Sequence, residues 1–362
     1  MRVIFSGGGT GGHLYPGLAI ARALVRQRAD VRPHFVGAQR GIERDVLARC
    51  EFPYTLLKVH PVYRRQPWNN WRTAIGAMSG WRGMTALARQ ERPALVVGTG
   101  GYASAIAVAW AAVRGVPIVQ HIADAFPGAA ARLFARVSNE CYLGFADAEK
   151  HLPVGKARYL ATGNAIDAPP VPRPERAAML RQWGFEAGAK VLLVFGGSQG
   201  ALAINDAVSA WTRASLPDGW SVIWATGKGM YDQFRSCETP RVRVVPYLAP
   251  IADAYAVSDL ALVRGGAIGT AELCAWGVPM IIVPLPTAAM DHQTWNARSL
   301  ESAGAAVHVP QTEFTAERFD NVMRAIASDG ARLSALSEGA RKRGRPNAAA
   351  DIARHIAQLL PA

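Results

Sequence analysis

Short, nearly continuous apolar runs alternate along the first half of the chain with longer segments of mixed polarity. The runs at residues 3–5, 31–36, 94–97 and 116–120 are of strand length. Between the first two, residues 14–26 place apolar side chains at helical spacing, and another helix is expected from Ser104. Such alternation, with strands apolar on both faces, predicts a parallel sheet covered by helices on either side. The pattern breaks after Gly163. Residues 168–174 hold four prolines, which cannot join a helix interior or an inner strand, and they read as an interdomain linker. Beyond them the logic repeats. Strands are expected at 191–195, 221–225, 242–245, 260–263 and 280–283, with helices at 201–214 and 348–360. The halves share no sequence repeat, but the architecture is duplicated. The expectation is an α/β chain of two Rossmann-like, doubly wound domains facing each other across a cleft. Residues 1–163, rejoined by a C-terminal helix within 341–362, form the first, and residues 164–340 the second.

Each half opens on a strand that runs into glycines. Residues 3–5 lead into Ser6-Gly7-Gly8-Gly9-Thr10-Gly11-Gly12-His13, and residues 191–195 into Gly196-Gly197-Ser198-Gln199-Gly200-Ala201. A buried strand, a glycine turn and a helix start aim backbone N–H groups and the positive end of the helix dipole at one spot. That geometry favours bound phosphate. Each half carries a further turn of this kind, Gly98-Thr99-Gly100-Gly101 and Arg264-Gly265-Gly266-Ala267. Gly7-x-Gly9-x-x-Gly12 matches the dinucleotide fingerprint. The second strand, however, ends Phe35-Val36-Gly37-Ala38, with no acid before Glu43 to hold a ribose. A nicotinamide or flavin oxidoreductase is therefore disfavoured. Neither turn continues into Gly-Lys-Ser/Thr, which argues against a nucleotide triphosphatase. His13 either caps its helix, is simply exposed, or serves in proton transfer or oxyanion stabilisation beside the phosphate turn.

At 362 residues, half of them apolar, the chain has material for two cores. The first apolar stretch runs into glycines rather than a cleavage site. The longest, at 103–113, falls short of the roughly 20 residues that a membrane span needs. Cys50, Cys141, Cys237 and Cys274 have no metal-like spacing and read as reduced thiols of a cytoplasmic protein. Charge adds more. The net charge is +13, and residues 1–167 carry 21 Lys/Arg against 10 Asp/Glu, whereas the rest carries 19 against 17. From Phe52 to Gln90 there is no acid, only Lys58, Arg64, Arg65, Arg72, Arg82 and Arg89 interleaved with Trp68, Trp71 and Trp81. Basic residues beside interfacial aromatics suit an anionic lipid surface. Plain solvated surface is the bland alternative, and no RNA-binding motif supports a nucleic-acid partner.

Taken together, five motifs carry a resemblance. They are Gly8-Gly9-Thr10-Gly11-Gly12-His13-Leu14-Tyr15-Pro16-Gly17, Gly98-Thr99-Gly100-Gly101-Tyr102, Gly196-Gly197-Ser198-Gln199-Gly200-Ala201, Glu272 after an Arg-x-Gly-Ala turn, and Asp291-His292-Gln293-Thr294-x-Asn296-Ala297. In this order and spacing the chain resembles, over essentially its whole length, the MurG family, the UDP-N-acetylglucosamine:lipid I N-acetylglucosaminyltransferases of peptidoglycan synthesis. The resemblance implies a two-domain GT-B transferase that inverts the anomeric carbon and uses no cofactor or bound metal. Its partners would be UDP-GlcNAc, undecaprenyl-linked lipid I and the anionic cytoplasmic face of the plasma membrane, with no nucleic acid. On the donor side, Gly197, Ser198, Gln199 and Gly200 would meet the pyrophosphate and Glu272 the ribose. The backbone of Leu248 would read the uracil beside Ala267 and Ile268, and His292 and Gln293 would face the sugar. On the acceptor side the resemblance implies Thr10, Gly11, Gly12, His13, Gly100, Gly101 and Tyr102, with His13 as base and Asp124 as the next candidate. Ile75, Met78 and Trp81, with Arg72 and Arg82 near them, would form the membrane-facing patch. The alternative for the three apolar residues is an ordinary buried helix face.

Two departures stand out. Where the family usually has His/Gln-Glu-Gln-Asn, this chain has His121-Ile122-Ala123-Asp124, and for Gly-Asn-Pro-Val/Ile-Arg it has Gly163-Asn164-Ala165-Ile166-Asp167. Asp167 thus stands at the position of a donor-binding arginine, with Arg264 and Lys228 as candidate substitutes. The departures leave open a divergent GT-B transferase that moves a UDP-sugar to another lipid or natural-product acceptor.

Overall fold

The computed structural model describes every residue except Val62, Arg64, Arg65, Ser215 and Ala362. Contacts divide the chain into two compact units, Met1–Asp167 with Asn347–Ala362, and Ala168–Pro346. The first division falls at the start of the proline-rich segment rather than at 163. Residues 341–346 stay with the second unit: the helix Gly330–Arg343 takes in the first three, Arg341 lies against Gly277, and Gly344 lies against Cys274.

The first unit holds seven strands: β1 (Arg2–Gly7), β2 (Arg32–Ala38), β3 (Tyr54–Leu57), β4 (Leu95–Gly100), β5 (Ile118–Ile122), β6 (Glu140–Leu143) and β7 (Arg158–Leu160). They pair in the order β3-β2-β1-β4-β5-β6-β7, every pair parallel. Side chains alternate across the sheet. Val3 and Phe5 pack under the helix Gly11–Gln27, while Ile4 joins Met84 and Val108 beneath the helices Asn70–Glu91 and Gly101–Arg114 on the opposite face. The C-terminal helix Ala348–Leu359 docks on Gly11–Gln27 through Ala349, Ile352, Ala353 and Ile356.

The second unit holds β8 (Lys190–Phe195), β9 (Trp220–Ala225), β10 (Val242–Val245), β11 (Leu260–Val263), β12 (Met280–Ile282) and β13 (Ala306–His308), in the order β10-β9-β8-β11-β12-β13. These pairs are also parallel. Its core combines Leu192 and Val194 with Trp211, Trp224 and Phe319.

In each sheet the winding direction reverses beside its first strand, between β1 and β4 and between β8 and β11. Loops leaving the carboxyl ends of two such strands diverge and open a crevice, the usual ligand position in a doubly wound sheet. All four glycine turns leave these four strands.

Some elements differ from expectation. The helix expected from Ser104 starts at Gly101, and the strand expected at 116–120 is Ile118–Ile122. The helix Asn70–Glu91 has 22 residues and extends well beyond the expected face 75–81. The structure adds the short strands β3, β6, β7 and β13 to the expected ones. In β6, Glu140 is buried yet accepts hydrogen bonds from Tyr142 Oη and Arg158 Nη1, both at 2.9 Å. Its charge hides the strand from a reading based on apolar runs.

Candidate active site

In the first unit, Thr10 precedes the helix whose first turn holds Gly11, Gly12 and His13. The His13 ring lies with Nδ1 3.2 Å from the Gly8 carbonyl and 3.3 Å from Thr10 Oγ1. A carbonyl only accepts, so Nδ1 is the donor in that contact and Nε2 is the ring nitrogen left to act as an acceptor. Thr99 Oγ1 donates to the His13 carbonyl at 2.6 Å, which ties the two glycine turns together. Gly100, at φ +107°, makes room for the ring: a Cβ there would lie 2.5 Å from His13 Cδ2. Tyr102, in the first turn of the next helix, lies near Gly9 and donates from its hydroxyl to the Arg40 carbonyl at 2.8 Å. Burial raises the pKa of that phenol.

The first acid beyond the second strand, Glu43, belongs here. Glu43 is fully buried beneath the first turn, and its Oε1 accepts from the N–H of Gly9 at 2.8 Å and of Ala38 at 3.3 Å. It shapes the turn through the backbone. Only its place a few residues beyond the second strand pointed to it.

The two segments that depart from the family pattern are neighbours. Ala165 N–H donates to His121 Nε2 at 3.2 Å, and Asn164 Nδ2 donates to the Ala123 carbonyl at 3.1 Å. Burial, with a smaller push from His13, lowers the His121 pKa to about 3 and keeps the ring neutral. Asp124 is half-buried on the loop leaving β5. Asp167 closes the first unit, with Oδ2 3.5 Å from Arg22 Nη1, while Arg22 also pairs with Glu51 at 2.7 Å. Its carboxylate is exposed beyond that contact.

In the second unit, Gly197, Ser198 and Gln199 are exposed at the turn leaving β8, and Gly200 precedes the helix Leu202–Ala214. From β11 the chain passes Arg264-Gly265-Gly266 into the helix Ala267–Trp276, where Ile268 and Glu272 share a face one turn apart. Glu272 Oε2 accepts from the buried Tyr255 hydroxyl at 2.8 Å. Burial raises the Tyr255 pKa well above that of a free phenol, so this donor keeps its proton. Asn296, fully buried, donates to the Gly265 carbonyl at 2.9 Å and fastens the helix His292–Ser302 beside this turn. His292 Nδ1 donates to the Ala289 carbonyl at 2.8 Å, leaving Nε2 to accept, and Gln293 Oε1 accepts from Leu285 N–H at 3.0 Å. Leu248 follows β10 with its side chain buried. Arg264 is engaged with the Val283 and Pro284 carbonyls at 3.0 and 3.1 Å, and burial lowers its pKa.

Comparison with known proteins fits both units. The Glycosyltransferase family 28 N-terminal domain matches residues 3–143, and the Glycosyltransferase family 28 C-terminal domain matches residues 191–356. A protein of Chlorobaculum tepidum is 37% identical, covering 99% of both chains, and one of Desulforamulus reducens is 32% identical, covering 100% of this chain and 99% of its own. Both are named UDP-N-acetylglucosamine--N-acetylmuramyl-(pentapeptide) pyrophosphoryl-undecaprenol N-acetylglucosamine transferase. The chain belongs to the MurG family. The crystal structure of Acinetobacter baumannii MurG matches with a TM-score of 0.75 at 24% identity, covering 99% of both chains. CalG4, the calicheamicin glycosyltransferase, matches at 0.71 with 16% identity, again over 99% of both, so the fold is the GT-B fold of these transferases.

Of the residues expected to face a membrane, Trp81 lies elsewhere than Ile75 and Met78. Along the helix Asn70–Glu91, Trp71, Ile75, Met78 and Arg82 recur at helical spacing and are exposed, beside exposed Arg72 and the preceding Trp68. Arg72 lies over the Trp71 ring at 5.3 Å. Trp81 instead turns inward and packs against the core. A spacing of three drifts around a helix of 3.6 residues per turn, which carries Trp81 off the face that Ile75 and Met78 share. Arg64 and Arg65 lie outside the described residues. No helix among the described residues is long and apolar enough to cross a membrane.

Proposed function

We propose that this chain, a MurG-family UDP-GlcNAc glycosyltransferase, moves N-acetylglucosamine from UDP-GlcNAc to undecaprenyl-pyrophosphoryl-N-acetylmuramyl-pentapeptide, lipid I, to give lipid II. One observation carries the reading: each unit presents two glycine turns at the point where its sheet reverses, one phosphate-accepting site for each of two pyrophosphate-bearing substrates. In the second unit, the backbone from Gly197 to Gly200 and the Ser198 hydroxyl receive the donor pyrophosphate. Glu272, steadied by Tyr255, accepts from the ribose hydroxyls. The Leu248 backbone reads uracil beside Ala267 and Ile268, and His292 and Gln293 meet the sugar. In the first unit, Thr10 to His13 and Gly100 to Tyr102 receive the acceptor. The acceptor hydroxyl oxygen attacks the anomeric carbon, the carbon–oxygen bond to the pyrophosphate breaks, and UDP leaves with the electron pair. His13 Nε2 takes the hydroxyl proton, because Nδ1–H is fixed on the Gly8 carbonyl.

The exposed Trp68-Trp71-Ile75-Met78 face, flanked by arginines, supports peripheral attachment of this unit to the anionic cytoplasmic membrane surface. A transferase with another lipid or natural-product acceptor is the second reading, favoured by the altered residues at 121–124 and 163–167. Turnover of UDP-GlcNAc with a lipid I analogue, with UDP-glucose and UDP-galactose as controls, separates the two. Binding of the donor without transfer to lipid I favours the second. His13→Ala should lower kcat by about 10²–10⁴-fold and leave the donor KM nearly unchanged. Near-normal turnover would move the base to Asp124.

A further inference from the structure

The loop that leaves β9 is pressed onto the second glycine turn. Gly227, at φ +89°, has room for no side chain: a Cβ there would lie 2.6 Å from the Gln199 carbonyl carbon and from the Gly200 nitrogen. Buried polar contacts fix the loop from below. Asn205 Nδ2 donates to the Thr226 carbonyl at 2.9 Å, Trp224 Nε1 donates to Asn205 Oδ1 at 2.9 Å, and Thr226 N–H donates to the Val245 carbonyl at 3.0 Å. The next residue is Lys228. It is exposed, and its Nζ lies 5.6 Å from the centre of the Tyr247 ring. No carboxylate pairs with it among the described residues.

An un-neutralised ammonium thus sits between a phosphate-accepting turn and the Tyr247-Leu248 segment that follows β10. The other basic candidate, Arg264, is part-buried and turns its Nη1 to two backbone carbonyls. We propose that Lys228 binds the diphosphate of the nucleotide donor, an inference that rests on the UDP-sugar reading of the second unit. A lysine suits the task as a compact point charge with three donors, able to follow the diphosphate as it moves. Tyr247 holds the ammonium over its face and keeps it from swinging away when the site is empty. Negative charge grows on the diphosphate as the bond to the sugar breaks, so the same ammonium also favours departure of UDP.

The test is calorimetric titration of the full chain with UDP and, separately, with uridine, which lacks the diphosphate. Lys228→Met should weaken UDP binding by about tenfold or more while leaving uridine binding unchanged, since the lost contact is charge-assisted and local to the diphosphate. Lys228→Arg should restore most of the UDP affinity. Added salt should weaken UDP binding to the native protein more than to Lys228→Met. Unchanged UDP binding in Lys228→Met, or a parallel loss of uridine binding, overturns the assignment. A native protein that binds uridine but gains nothing from the diphosphate overturns it too and leaves the nucleoside reading standing. A native protein that binds neither overturns the donor reading itself.

Discussion

At the scale of single residues, the site depends on groups held by others. Glu272 receives the Tyr255 hydroxyl on one oxygen, which orients the carboxylate. Hydrogen bonds to a charged group are worth roughly 1.5–3 kcal/mol each. Glu272→Ala should therefore raise the donor KM at least tenfold in steady-state kinetics, and an unchanged KM would remove Glu272 from the ribose site. His121 makes a pH-dependent contribution. Its folded pKa of about 3 lies below that of an unfolded histidine, so between those values the unfolded chain binds the extra proton. Stability is then fully present above the unfolded value and is lost as pH falls, by about 1.4 kcal/mol per pH unit for this one group. His121→Gln should flatten the dependence of Tm on pH between roughly 6.5 and 4. An equally steep slope would mean that other groups carry the acid sensitivity.

At the scale of elements, the helix Asn70–Glu91 separates two roles on two faces. Gly76, Gly80, Met84 and Leu87 face the core, whereas Trp71, Ile75, Met78 and Arg82 face away from it. Each Lys or Arg near an anionic bilayer contributes on the order of 1 kcal/mol. Replacing Arg72, Arg82 and Arg89 with Gln should release the protein from anionic vesicles in co-sedimentation, and salt should mimic the change. Trp71→Ala with Met78→Ala should weaken binding in a salt-insensitive way, because that contribution is apolar. Equal binding to neutral and anionic vesicles would return this face to ordinary surface.

For the molecule as a whole, the chain's last helix belongs to its first unit. Ile352, Ile356 and Leu360 are buried in the cluster that also holds Leu14, Leu18 and Phe35. Fully burying a large aliphatic side chain is worth about 1.5–3 kcal/mol, so these three approach the roughly 5–15 kcal/mol that stabilises a typical protein. Truncation after Pro346 should leave Met1–Asp167 unable to hold its fold while Ala168–Pro346 survives. Limited proteolysis should accordingly digest the first unit and spare the second. Equal protection of both would show the helix to be dispensable.

Local pattern was enough for the duplicated α/β plan, the central strands and the four glycine turns, because an inner parallel strand must be apolar on both faces and a phosphate turn must be free of side chains. The proline run at 168–174 marked the division between units for a similarly local reason. What lay outside local pattern needed the folded chain. Glu43, Glu140 and His121 are polar residues made tolerable in a core by partners or by loss of charge, and sequence spacing does not reveal such partners. The inward turn of Trp81, the pairing of Asp167 with Arg22 and the engagement of Arg264 with carbonyls depend on neighbours remote in sequence. So does the meeting of residues 121–124 with 163–165. Strand order alone decided that the glycine turns of each unit leave adjacent strands at the reversal of the sheet. That order is fixed by which helix covers which face, a competition among long-range contacts that no single stretch of sequence records.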